Sequence, residues 1–278
     1  TWLWMPPWRS DRIFKLLSEK NGMTPADFAR IETDVVSESN LLVAQSLVKA
    51  SATVTPRLER TKDLIKRLAN WDGRMTAESV EATFAERTAR AVERNMLLPL
   101  LGDETALVYP SSTVFLERVL RERPAVWLPS GFHNFDELLV GSADDAVERL
   151  SRETNNADVG TWKWGEQNYL LMAHPIGQTG ILRRILSIGP MPQDGATDVV
   201  KAAGHSFGPS MRFVADLSNW DNSSMEITTG ESGQYGSAHY RDQFPAWFSG
   251  QPLPAPYSAS AVGSATASTL HLVPSGHQ

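Results

Sequence analysis

The stretch that decides the fold reads Gly208-Pro209-Ser210-Met211-Arg212-Phe213-Val214-Ala215-Asp216-Leu217-Ser218. It is followed by Gly230-Glu231-Ser232-Gly233, then by His239-Tyr240-Arg241-Asp242-Gln243, with Trp247 close behind. Met211, Phe213, Ala215 and Leu217 alternate with Arg212 and Asp216, the period of a strand with one buried face. The run from Asn219 to Ser224 is a cluster of turn formers. Met225-Glu226-Ile227-Thr228 predicts a second short strand. It leads into a turn whose glycines admit backbone conformations that other residues resist.

Outward from this block the chain divides by pattern. Asn168 to Ala173 reads as a strand, followed by His174-Pro175-Ile176-Gly177. Thr161-Trp162-Lys163-Trp164-Gly165 is aromatic and β-favouring. Gly189-Pro190-Met191-Pro192 and Gly195 predict loops. Beyond the block, the small polar run from Gly263 to Ser268 predicts a flexible loop, and Leu270 to Pro274 a short closing strand. Residues 1–153 instead show helical spacing. Ile13, Leu16 and Leu17 place a helix over Asp11 to Glu19, with Phe14 beside them. Thr24-Pro25-Ala26-Asp27 supplies an N-cap, a proline in the first turn and an acid at the third helical position. That helix carries Phe28, Ile31 and Val35 on one face and runs on, with a break, through Leu41 to Leu47. Further helices are expected over Lys62 to Leu68, from Thr76 to about Leu100, over Thr113 to Glu122 and over Ala143 to Glu153. In the long one, Val80, Phe84, Ala91 and Val92 face inward, and Glu86, Arg87, Arg90, Glu93 and Arg94 form a solvated face. The reading is an α+β fold: a mostly helical region, 1–153, then a β-rich region, 154–278.

Composition narrows the function classes. The 278 residues are 41% hydrophobic, enough for a sizeable core, and the net charge of −6 argues against a nucleic-acid or anionic-membrane partner. No cysteine is present, which excludes disulfides and thiolate metal sites. No apolar run reaches membrane-spanning length. The chain opens on Thr1-Trp2-Leu3-Trp4 without Met, and a piece of a longer polypeptide is expected.

The signature block resembles the C-terminal signature of the penicillin acylase family of N-terminal-nucleophile hydrolases: GPSMR, DLS, a Gly-x-Ser-Gly turn, then HY-x-DQ and a Trp, in order. The likeness extends upstream through Ala202–Gly204, Gly189–Pro192, His174–Gly177 and Trp162–Gly165. It reaches the N-terminal part through Trp4, Pro6-Pro7-Trp8-Arg9, Arg9 to Leu17, Thr24–Asp27 and Ile31–Ser37, with Glu32 where Gln is usual. The resemblance implies the C-terminal part of the αββα architecture and the C-terminal half of a catalytic β chain. It implies hydrolysis of a small-molecule acyl amide, of β-lactam or N-acyl-homoserine lactone type. The nucleophile would be a serine at the free N-terminus of the β chain, with its own amine as base. A backbone N–H and an Asn would form the oxyanion hole. All of these would lie before Thr1, as would the ligands of a structural calcium. The implied partners are an upstream β-chain segment and an α chain of the same precursor, and the implied location is the periplasm or outside the cell. One position carries over: Arg9, as a support for the hydrogen bonds around the oxyanion Asn.

Other residues carry candidate chemistry of their own. Thr1 joins a hydroxyl and an amine in one residue, so a stand-alone hydrolase using Thr1 is one alternative. A non-catalytic binding or scaffold module is another. Ser232, His239 and Asp242 permit a triad on paper, but buried-backbone satisfaction under the glycine turn is the expectation. His174, before Pro175, reads as a strand-end residue. Asp34, Asp72, Asp216 and Asp221 lack the dense spacing of a calcium loop. Gly230-x-Ser232-Gly233 lacks the spacing of a nucleophile elbow. Trp2, Trp4 and Trp8 are candidates for an acyl pocket or for core.

Overall fold

The computed structural model describes residues 6–102, 113–177 and 179–274. Thr1, Trp2 and Trp4 therefore lie outside the described residues. The described chain forms two compact units, 1–19 with 34–208 and 20–33 with 209–278.

The first unit is built on helices. Helix α1 (Trp8–Leu17) precedes α3 (Glu38–Ala50), α4 (Glu59–Leu68), α5 (Val80–Leu101), α6 (Thr113–Glu122) and α7 (Phe135–Glu153). Side-chain caps start three of them: Ser37, Ser79 and Asn134 accept from the backbone N–H of Asn40, Ala82 and Glu137. α7 thus begins eight residues before the predicted Ala143, at an asparagine cap. The apolar stripes meet in one core, with Leu47, Leu64, Phe84, Met96, Leu138, Leu139 and Leu150 fully buried. Glu93 is also buried, which corrects its expected place on the solvated face of α5.

The Trp162–Gly165 motif is not a strand. A 3-10 turn (Val159–Thr161) leads into the short helix α8 (Trp164–Gln167), and the Asp158 side chain accepts from Gly160 N at 2.9 Å. A strand would put Trp162 and Trp164 on the same face. Instead Trp162 enters the large helical core, while Trp164 packs with Met75, Ala82, Ala196 and Val199. Strand β1 (Tyr169–Met172) pairs antiparallel with β2 (Ile188–Pro192), and α9 (Gly180–Leu186) lies in their connection. The Gly189–Pro192 segment predicted as loop is therefore strand. A two-stranded sheet leaves every strand an unpaired edge, where a proline removes no ladder bond.

The second unit holds α2 (Pro25–Glu32), strands β3 (Met211–Val214) and β4 (Ser224–Ile227), and helices α10 (Phe244–Ser249) and α11 (Ala259–Ala265). The capping box foreseen at Thr24 and Asp27 is present. α2 ends at Glu32, so Val35 lies beyond it. β3 and β4 pair antiparallel, with Arg212 opposite Glu226 and Phe213 opposite Met225. Strand β3 stops at Val214, short of the predicted Ala215 and Leu217. Gly263 falls inside α11 rather than in a loop, because the Ser258 hydroxyl caps Ala261 N. Leu270, Leu272 and Val273 are exposed and unpaired as strand, so the expected closing strand is absent among the described residues. The fold class is α+β.

Candidate functional site

In the second unit the signature residues bind one another. Arg212 is buried and donates through Nη1 to Glu226 Oε1 and to Trp247 O, both at 2.7 Å. Its guanidinium stands 5.6 Å from the centroid of the Trp247 ring, whose Nε1 donates to Pro209 O at 2.7 Å. GPSMR and Trp247 are thereby one packed assembly. Gln243 completes it: its backbone N–H bonds Thr229 O at 3.0 Å, and its Oε1 accepts from Ile227 N at 3.2 Å. Gly230 is required by close approach, since a Cβ there would press into the His239 carbonyl and lie 2.6 Å from Asp242 Oδ1.

No Ser-His-Asp triad forms among the described residues. His239 Nδ1 meets Asp242 Oδ2 at 2.7 Å, and that contact is the main cause holding the Asp242 carboxyl below its ordinary range. Ser232 Oγ, however, accepts from Gln234 N at 3.1 Å, and Ser232 N bonds His239 O. The serine thus shapes the turn instead of addressing the imidazole. Asp216 and Asp221 serve turns and caps. Asp216 accepts from Ser218 Oγ at 2.6 Å, and Asp221 from Ser258 N and Oγ at 2.7 Å each.

In the first unit Arg9 lies exposed on the first turn of α1. The arginine held in fixed geometry is Arg12, one turn later, which sequence reasoning passed over. Its Nε and Nη2 reach the two Asp34 oxygens at 2.9 and 2.7 Å, and Glu38 stands 3.7 Å from Nη1. The Asp34 hydrogen bond is the largest influence raising the Arg12 pKa. A bidentate, mostly buried pair of this kind fixes a guanidinium plane. Arg12 falls four residues before the buried Leu16, on the same side of the helix, and its Asp34 partner lies 22 positions away, beyond the reach of helical periodicity. Asp72 accepts from Arg74 N at 3.1 Å, and His174 Nδ1 accepts from Ile176 N at 3.2 Å. Among the described residues, no group of three His, Asp or Glu side chains is placed to hold a metal ion.

A cleft of about 530 Å³ opens in the same unit between α3, α5, α8 and the 196–207 segment. Asp198 Oδ2 accepts from Ser37 Oγ at 2.6 Å and Ser39 Oγ at 2.5 Å, and Ser37 Oγ accepts from Asn40 Nδ2 at 2.9 Å. Arg87 bonds Gln167 and lies 3.2 Å from Glu153. His205 Nε2 lies 2.7 Å from Gln167 O, and its ring stacks on Tyr169. Ser37 and Ser39 are thus committed to Asp198 and His205 to Gln167, and among the described residues no serine or threonine in the cleft is paired with a histidine or lysine base. The cleft has the size of a small-molecule site. Ser39 and Asp198 lie 159 positions apart, a contact that no local pattern announces.

Comparison with known proteins adds relatives. The family model described as penicillin amidase matches residues 1–264. The chain is 30% identical to penicillin acylase 2 proenzyme from Pseudomonas sp. (strain SE83), over 97% of this chain and 36% of that one. It is 24% identical to acyl-homoserine lactone acylase QuiP from Pseudomonas putida, over 98% of this chain and 37% of that one. A thermostable penicillin G acylase from Alcaligenes faecalis has a similar fold, with TM-score 0.60 and 12% identity over 96% of this chain and 52% of that one. The chain thus spans a little over a third of the length of the curated relatives it matches.

Proposed function

The chain belongs to the penicillin amidase family, and from that premise we propose that it is the C-terminal stretch of the catalytic β chain of an acylase. The reaction is hydrolysis of the amide between an acyl group and an amine. The observation that carries this reading is a family match running along nearly the whole chain, while the chain covers only 36% of the relative named as a penicillin acylase. Relatives named for penicillin and for acyl-homoserine lactones support two amine classes, a β-lactam nucleus and a homoserine lactone.

On this reading the nucleophilic serine, its α-amino base and the oxyanion asparagine come from polypeptide preceding Thr1. So do the ligands of any structural calcium. The partners are that β-chain segment and the α chain of one precursor, and the assembly works in the periplasm or outside the cell. Arg9 supports the hydrogen bonds beside the oxyanion asparagine from an exposed turn of α1. Arg12, locked to Asp34, holds that turn against α3.

The test compares the chain alone with the chain joined to its preceding polypeptide, using a chromogenic acyl amide, a penicillin and an N-acyl-homoserine lactone. The chain alone is expected to turn over none of them, and the joined protein at least one. Arg9→Ala in the joined protein is expected to lower kcat more than it raises KM. Turnover by the chain alone that Thr1→Ala abolishes would overturn the proposal in favour of a stand-alone enzyme. Inactivity of both forms would favour a non-catalytic scaffold.

A further inference from the structure

Arg212 presents an unfilled hydrogen-bonding demand. Its side chain is 6% exposed, and only Nη1 is satisfied, by Glu226 and the Trp247 carbonyl. The Nε and Nη2 atoms are buried without a partner. A guanidinium N–H left unbonded in the interior carries its full desolvation penalty, and such groups are ordinarily satisfied by protein or by ordered water. Arg212 also lines a void of about 10 Å³, together with Ala29, Glu32, Ser224, Glu226 and Gly250. That is close to the smallest volume that accommodates a single water molecule.

Glu32 stands on the other wall. It ends α2, is half-buried, and lines the same void as Arg212. It feels the charges of both Arg212 and Glu226, and among the described residues the side-chain partners of Arg212 are Glu226 and the Trp247 carbonyl, not Glu32. Two donors without acceptors, a carboxylate nearby and a void of one water's size meet at a single place.

We propose that this void is a binding site for one water molecule, which accepts from an orphaned N–H of Arg212 and donates to the Glu32 carboxylate. The water links the end of α2 to the β3–β4 sheet. α2 is separated in sequence from the rest of its unit by 175 residues, 34 to 208, and Glu32 is its charged residue on the void. Around it the other walls contribute Arg212 from β3 and Glu226 from β4, and the segment from Gly250 to Pro252 adds no charge. A trapped water of this kind makes about three hydrogen bonds and is costly to remove.

The test is a crystal structure at atomic resolution, of the protein and of Glu32→Gln. One well-ordered water within hydrogen-bond distance of Arg212 Nε or Nη2 and of the residue-32 side chain is expected in both. A direct Glu32–Arg212 ion pair would overturn the proposal, and so would an empty void. In solution, the Arg212 Nε–H or Nη2–H resonance should show a magnetisation-transfer cross-peak to a long-lived water. Absence of that cross-peak from both resonances, each resolved, would also overturn it.

Discussion

Asp198 shows how one side chain joins distant parts of the first unit. Its Oδ2 collects two serine hydroxyls, Ser37 and Ser39, from the start of α3. The two hydroxyls stand 3.2 Å apart, so without the acceptor one can still donate to the other and one buried donor is left unpaired, at about 1–3 kcal/mol. Asp198→Ala is therefore expected to cost about 2 kcal/mol in a urea titration, and Asp198→Asn, which keeps an acceptor, roughly 1 kcal/mol. Glu32 gives a second expectation at this scale. Burial pushes its carboxyl above the ordinary range; Arg212 opposes the shift and Glu226 adds to it. The folded state then holds the proton more tightly than the unfolded state. This group's stabilisation is full below the unfolded pKa and is lost as pH rises through the folded value. Glu32→Gln should remove that loss, so its stability relative to the parent protein should climb with pH above about 4.3. A flat difference across pH 4–8 (roughly the span over which a raised glutamate titrates) would sink the assignment. Little of this residue-scale detail was legible. Arg12, Asp198 and the burial of Glu93 depend on partners far along the chain, whereas periodicity reads only near neighbours.

Elements were legible where local chemistry decides them. Thr24, Pro25 and Asp27 announced α2, and the box forms, with Asp27 Oδ2 accepting from Thr24 N at 2.9 Å. Lys20 adds a 2.6 Å contact, and it leads the causes that hold the Asp27 carboxyl far below its ordinary range. Thr24→Ala should cost about 1 kcal/mol, visible as a lower denaturation midpoint with unchanged slope. Elements failed where tertiary packing overrode propensity. Trp162 and Trp164 look β-favouring but serve two separate cores, which a helical turn achieves and a strand does not. Gly189–Pro192 looks like a loop because prolines usually interrupt sheets, yet a two-stranded sheet has edges to accept them. The glycine turn was read for its conformational freedom. The structure gives a different reason at Gly230, where the His239 carbonyl leaves no room for a Cβ. Gly230→Ala should therefore displace the His239–Asp242 segment and lower the melting temperature. An unchanged His239 resonance would show that the turn tolerates a methyl group.

At the scale of the whole chain the two units differ in how much they bury. The large apolar cluster of α3 to α7 lies wholly in the first unit. Among the described residues, the buried apolar side chains of the second unit are Ile31, Val214 and Trp247. That unit meanwhile exposes Met211, Phe213, Leu217 and Trp220 beside the signature strand. Opening free energy follows buried contact, so amides of β3 and β4 should exchange well before those of α5 and α7. Limited proteolysis should likewise cut within 209–274 first. The acylase reading adds a condition. If the polypeptide preceding this chain covers the exposed face of β3, joining it should slow exchange at Met211 to Val214 by at least tenfold, about 1.4 kcal/mol. Exchange in α5 should change far less, because its core is complete without help. Equal protection gains in both units would point to general stabilisation, and no gain in either would leave the exposed signature face without its proposed partner.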